Sequence, residues 1–164
     1  MFLTYSLNNY GCYCYPVKSN EVGPYQDYKG PPVDELDHLC KKFWISSKCL
    51  PEGCDRTTAA YTYEWQDDEV VCTDTNECLK AACELEVDFN DQVAFLITNT
   101  DFELNEDEYT TRSTVIYENI CDGEAKVIGS GPKDHCCGVG IERKHYNEAI
   151  FQCCGDVIVS QGTC

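Results

Sequence analysis

No CxxC pair occurs anywhere in the chain, although cysteine is one of its commonest residues. Zinc sites are usually built from such pairs, so their absence argues against a structural zinc module. Positive charge is scarce: 12 Lys and Arg stand against 29 Asp and Glu, a net charge of −17. A polyanion is repelled by such a surface, which excludes nucleic-acid binding and disfavours anionic membranes. No apolar run approaches the roughly 18 residues of a membrane span. The opening MFLTYSLNNY has neither a basic n-region nor an apolar h-region, so it does not read as a signal peptide. Met1 is therefore expected not to be the true start, or to follow a trimmed precursor. Asn-X-Ser/Thr is missing too, and ordinary N-glycosylation is not predicted. With one Met and six Phe, few large apolar side chains are available to fill a core.

What the chain has instead is 14 cysteines in 164 residues, an even number. They are Cys12, Cys14, Cys40, Cys49, Cys54, Cys72, Cys78, Cys83, Cys121, Cys136, Cys137, Cys153, Cys154 and Cys164. Reducing compartments rarely keep so many thiols paired, so the sequence predicts a secreted, extracellular protein whose cysteines are all bridged. No cofactor and no metal site are predicted.

Residues 15–32 hold four of the six prolines and two glycines without apolar periodicity, which reads as a loop. The segment VDELDHLCKKFWISSK then places Val33, Leu36, Cys40, Phe43 and Trp44 near helical spacing. A helix is expected over about 33–46, with Pro32 at its first position and Asp34 and Glu35 at the positive end of its dipole. In AAYTYEWQDDEVVC, Tyr61, Tyr63 and Trp65 alternate with period two. Gln66 to Asp68 supply a turn and Glu69 to Val71 a return strand, giving a hairpin. A second helix is expected from Thr75 to about Leu96, with Cys78, Leu79, Ala82, Cys83, Glu86 and Val93 on one side. The acidic stretch 101–114 reads as a linker. Beyond it, seven glycines, two vicinal cysteine pairs and the β-prone runs VIYENI, KVIG and DVIVS change the character of the chain. A boundary is placed near residue 110, dividing a first domain (1–110) from a small β-rich, disulfide-held module (111–164).

Four segments of the first domain resemble secretory phospholipase A2: NNYGCYC (8–14), PPVDELDHLCKK (31–42), the hairpin, and CTDTNECLKAACELE (72–86). The resemblance covers about residues 1–97, in the family's order and spacing. It implies a mainly α fold with a little β structure: two antiparallel helices and a β-wing, with the family's N-terminal helix missing or truncated. The departures fall on the chemistry. The family's catalytic His and calcium-binding Asp lie between the first helix's cysteines, where this chain reads KKFWISSK. Phe43 and Trp44 stand at the aligned positions. A phenyl ring cannot take a proton from water and an indole offers no oxygen to calcium. Glu86 occupies the place of the carboxylate that orients the family's His, and the calcium loop is replaced by the longer YPVKSNEVGPYQDYKG. The resemblance thus implies a scaffold without its hydrolase activity.

The same resemblance implies the bridges Cys14–Cys40, Cys54–Cys78 and Cys72–Cys83. Leu39 and Gln92 replace two further cysteines of the family, and Cys12 and Cys49 are left free to pair with each other. The first domain then holds eight cysteines and the tail six, so each half can close its own bridges. In the tail, CCG at 136–138, HYN at 145–147 and CCG at 153–155 resemble galaxin-type repeats of extracellular matrix and skeletal proteins. Non-enzymatic phospholipase-like domains also occur in the acidic otoconins of calcium carbonate biominerals.

Other motifs carry less. DFELNEDEY (101–109) opens like an EF-hand, with Asp101, Glu103, Asn105 and Asp107 alternating, but Glu106 and Arg112 fall where Gly and Glu are required. Only weak attraction of calcium or a mineral surface is compatible with it. His38 is expected on a helix surface. His135 and His145, flanking the cysteine pair at 136 and 137, read as ordinary surface residues. The sequence therefore points to a non-enzymatic structural or interaction protein of an extracellular assembly, whose partners are other matrix proteins or itself. The alternative is a lipid-binding or toxin-like receptor-binding module that keeps an apolar slot without hydrolysis.

Overall fold

A computed structural model describes Leu7, residues 10–14, 30–56, 58–105, Cys121 and 135–164. Two helices carry the first part: α1 (Glu35–Ser47) and α2 (Glu77–Asn99). Between them lies the hairpin β1 (Tyr63–Gln66) and β2 (Glu69–Cys72). The tail adds β3 (His135–Cys137), a single 3₁₀ turn (Gly140–Glu142), β4 (Lys144–Tyr146), β5 (Phe151–Cys154) and β6 (Val157–Ser160). Each strand pairs antiparallel with its neighbour in sequence, giving three separate two-stranded ribbons. Helices, small antiparallel pairs and seven disulfides agree with a disulfide-rich phospholipase A2-like fold. None of the described helices is long and apolar enough to cross a membrane.

Both helices start later than their sequence suggests, for the same reason. Pro32 is not the first helical residue, because Asp34 caps α1: its Oδ1 accepts the Asp37 N–H at 2.9 Å. The Val33 N–H is turned away to Asp37 Oδ2 at 3.0 Å. In α2 the cap is Asn76 rather than Thr75, its Oδ1 accepting from Leu79 N–H at 3.2 Å. The far end runs three residues past Leu96, where the Thr98 and Thr100 hydroxyls donate to the carbonyls of Ala94 and Leu96 at 2.7 and 2.6 Å. The buried positions of α2 are Ala81, Ala82, Cys83, Leu85, Phe89 and Val93, the stripe that helical periodicity places together.

The hairpin forms, with Gln66 paired to Glu69 inside the ribbon instead of in the turn, and Tyr61 ahead of β1. Tyr63 opposes Cys72 and Trp65 opposes Val70 across a two-residue turn, with Asp67 and Asp68 at φ 49° and 67°. Two successive left-handed residues make the turn whose twist matches the strands, and Asp tolerates that region better than most. In the tail, DVIVS does form a strand. VIYENI, KVIG, the boundary near 110 and most of the 15–32 loop lie outside the described residues, as do residues 1–6, on which the expected truncation of the N-terminal helix bears.

The chain divides into two compact units. One comprises Met1–Lys41 with Gln92–Ile128, the other Lys42–Asp91 with Gly129–Cys164, so the division falls inside each helix. Cys12–Cys121 and Cys14–Cys40 bridge the first unit. The second holds Cys49–Cys136, Cys54–Cys78, Cys72–Cys83, Cys137–Cys153 and Cys154–Cys164.

Three of these pairings are those the resemblance implied; the expected Cys12–Cys49 pair is not formed. Cys12 meets Cys121 at a Cα separation of 5.5 Å, and Cys49 meets Cys136 at 5.7 Å, both within bridging reach. The tail therefore does not close all its own bridges. The physical reason is packing at the end of α1. Ile141 is buried there at 2% exposure, and the Ser46 Oγ lies 2.7 Å from both the Ile141 and Arg143 carbonyls, sharing its one proton between them. On α2, Asp88 Oδ2 accepts the Ile141 N–H at 2.8 Å. Gly140 (φ +51°) lies so close to the Asp88 carboxylate that a Cβ there would collide with it. Held this way, β3 brings Cys136 to Cys49.

Strand geometry explains the vicinal cysteines. Successive side chains on a strand point to opposite faces, so adjacent cysteines cannot share one partner site. Cys136 turns to Cys49 and Cys137 to Cys153; Cys154 turns the other way, to Cys164.

The bridges Cys12–Cys121 and Cys49–Cys136 close interlaced loops of 109 and 87 residues, and each short-circuits the loop of the other. Removing one pair as Cys→Ser should cost about 3 kcal/mol, while removing both should cost about 1 kcal/mol more than the sum, because the surviving bridge loses its shortcut. Urea unfolding of the single-bridge and double-bridge variants measures this coupling; strict additivity would contradict the mutual shortening of the two loops.

Candidate functional site

The site that the sequence singled out is built by the C-terminal part of α1, the segment before the hairpin, and α2. Phe43 lies on α1 and meets Phe89 of α2 with ring centroids 4.5 Å apart and planes tilted by 33°. Such offset pairs gain a little beyond simple burial. The Arg56 guanidinium covers Phe43, its carbon 4.7 Å from the ring centroid. Arg56 also approaches Glu86 of α2, Nη1 to Oε1 at 3.9 Å. Tyr61 closes the group by donating its hydroxyl to Glu86 Oε2 at 2.5 Å. The group is thus a phenyl ring under a guanidinium, with the neighbouring carboxylate engaged by a phenol.

Glu86 therefore has a defined role that the sequence reading did not foresee: it anchors Tyr61 and Arg56. Burial pushes the Tyr61 phenol well above its ordinary range, and the Glu86 hydrogen bond and charge push it further in the same direction. Trp44 sits beside this group under a different cation, with Lys48 Nζ 3.9 Å from its ring centroid. Burial lowers the Lys48 ammonium. Neither aromatic ring can accept a proton from water or supply an oxygen to a cation.

The three histidines lie elsewhere. His38 is exposed on α1, as expected. His135 on β3 pairs with Glu148, Nε2 to Oε2 at 2.8 Å. His145 on β4 places Nδ1 3.4 Å from Cys136 Sγ. Among the described residues, Cys49, Cys136 and His145 form the one cluster of three metal-ligating types, and two of them are joined as a disulfide. Of the EF-hand-like run, Asp101, Glu103 and Asn105 are described and exposed, and the rest lies outside the described residues.

The residue most thoroughly missed is Asp37. It is fully buried, and its carboxylate accepts the backbone N–H groups of Cys12, Tyr13 and Val33 at 2.9, 2.7 and 3.0 Å. Gly11 (φ +58°) passes so close that any side chain would strike the carboxylate. Nearby, Tyr10 donates to Asp34 and Tyr13 to the Gly30 carbonyl at 2.7 Å. The loop 10–14 is thereby fastened to the start of α1. Its signal was present in the sequence: Asp37 shares the helix stripe of Leu36 and Cys40, and a charge on a buried stripe needs donors.

Two predictions follow from these groups. Burial raises the Asp37 carboxyl above the usual range, and the three N–H bonds only partly offset it. A raised carboxyl stabilises the fold most below its unfolded value and loses that contribution as pH rises through its folded value. Asp37→Asn should cost about 2 kcal/mol, since the amide nitrogen cannot accept. The deficit should narrow from mild acid toward neutral pH in urea melts; a widening deficit would show that the N–H bonds outweigh burial. Separately, Glu86→Gln should move one tyrosine's titration down toward its ordinary value of about 10 in ultraviolet difference spectra, a change that Tyr61→Phe should abolish.

No protein-family model matches the chain. Individual relatives do. The "Basic phospholipase A2 homolog 2" of Bothrops brazili is 35% identical over 81 residues, which is 48% of this chain and 56% of that protein. The "Acidic phospholipase A2 PLA-1" of Eristicophis macmahoni shows the same identity and coverage. The "Basic phospholipase A2 homolog W6D49" of Calloselasma rhodostoma is 33% identical over 81 residues, 49% of this chain and 51% of that protein. The chain spans about half the length of the curated relatives it matches. Over that part, and in its disulfide-rich architecture, it is similar to phospholipases A2.

Proposed function

We propose that this protein is a non-enzymatic, secreted structural or interaction component of an extracellular assembly, built on a phospholipase A2-like scaffold. The observation that carries the reading is the Arg56–Phe43–Phe89 stack with Glu86 held by Tyr61. Hydrolysis of an ester by water needs a group to take the proton and a positive centre to hold the developing oxyanion. Phe43 and Trp44 provide neither, and Arg56 is engaged by the ring and by Glu86.

Seven disulfides with no free cysteine support an oxidising, extracellular setting. The acidic balance of −17 suits cationic partners or a calcium-bearing mineral surface. The tail is read as a galaxin-like module. In support, Cys137–Cys153 joins the two CCG segments, and in each the Gly lies just beyond a strand with positive φ, 102° at Gly138 and 64° at Gly155. A sequence division at about residue 110 belongs to the same reading.

Mixed phospholipid micelles with calcium test the enzymatic half: no fatty acid should be released above that of a heat-inactivated control. Sustained turnover would overturn the proposal. Sedimentation of the native protein tests the other half, with assembly or mineral association expected. A free monomer carrying a stoichiometric fatty acid in native mass spectrometry would instead establish the lipid-binding alternative.

A further inference from the structure

The hairpin is held to α2 at its Cys72 end by the Cys72–Cys83 bridge, but its Trp65 end presents a surface that neither the fold nor the site above uses. All four residues of β1 are exposed. Trp65 is 70% exposed and Tyr63 52%, side by side on the face they share with Val70 and Cys72. An indole left this open is costly in water, and Trp is among the residues most often found to anchor protein contacts. Among the described residues no ring or cation stacks on it.

The setting of that aromatic face is strongly acidic. Asp67 and Asp68 form the turn, and Glu64 and Glu69 lie on the reverse face of the same ribbon. Between Arg56 and Lys80 the chain has no basic residue. A two-stranded ribbon is only about 5 Å between strands, so carboxylates on its reverse face and tip remain within reach of a long side chain crossing the aromatic face. Glu69 also joins Asp88 in raising the Asp91 carboxyl, after the larger effect of burial, so the negative field extends onto α2.

We infer that the tip of this hairpin docks a Lys- or Arg-rich polypeptide segment, a guanidinium or ammonium stacking on Trp65 while the neighbouring cations meet Asp67, Asp68 and Glu64. Cation–π contact is strongest on Trp, and an acidic rim raises the local concentration of cationic partners. An anionic lipid surface is repelled by the same four carboxylates. The inference deepens the assembly reading by giving the partner a chemistry, and it rests on that reading only in taking the partner to be a protein.

The test uses the full chain and a fluorescein-labelled oligo-arginine peptide at physiological ionic strength, followed by fluorescence anisotropy. Trp65→Ala should weaken binding about tenfold. Trp65→Phe, which keeps a ring, should recover part of the loss and guards against a folding defect in the alanine variant. The triple change Glu64→Gln, Asp67→Asn, Asp68→Asn should weaken binding similarly. Removing three charges outside the hairpin (Glu52→Gln, Asp101→Asn, Glu103→Gln) should change it less than about twofold. Equal losses in the two triple variants would reduce the interaction to diffuse charge attraction and overturn the inference. So would undiminished affinity in Trp65→Ala, or Trp65-dependent binding to phosphatidylcholine vesicles in place of the peptide. Any of these outcomes leaves the assembly reading standing, because that is read from lipid turnover and sedimentation.

Discussion

Covalent cross-linking is the constraint on which the rest of this structure depends. The apolar inventory is thin, and the residues buried in the described chain are more often cysteine than leucine and phenylalanine together. Three two-stranded ribbons cannot hold themselves together in water, since an isolated hairpin is marginal without further packing. Seven bridges supply what the core does not, by restricting the unfolded chain. Two of them reach from the first hundred residues into the tail. The tail is consequently part of the framework around the helices and not an appendage closed on itself.

Two aspartates, Asp37 buried and Asp88 half-buried, do comparable work without covalent bonds. Asp37 and Asp88 each receive backbone N–H groups from a loop and each face a glycine with positive φ. In both cases the glycine's missing side chain is what lets the loop come within hydrogen-bonding distance. The same device thus fastens the loop at 10–14 to α1 and the 3₁₀ turn at 140–142 to α2. Around Phe43, by contrast, the contacts are among aromatic rings, a guanidinium and one carboxylate.

Much of this was legible in the sequence, and what was not has physical causes. Helix positions followed from the spacing of Leu36 and Cys40 and of Ala82, Cys83 and Val93. The hairpin followed from alternation around Asp67 and Asp68. Helix starts were missed by two residues because side-chain caps, at Asp34 and Asn76, decide them and several candidates stood nearby. Cys12 and Cys49 were mispaired because bridge partners depend on which loops meet in space, and Ile141 and Ser46 give no pattern in sequence. Glu86 was left without partners, since no helix or strand pattern says that Tyr61 and Arg56 come within its reach.

The adjacent cysteines of the tail have a consequence for how the protein matures. Because Cys136 and Cys137 face opposite ways, as do Cys153 and Cys154, sliding a strand by one residue would turn every thiol toward the wrong neighbour. An oxidant acting before the ribbons have settled would trap such a slip permanently, whereas one acting afterwards finds each sulfur beside a single mate. Maturation of this chain is thus a matter of timing, and a catalyst that reshuffles bridges would serve it better than a stronger oxidant.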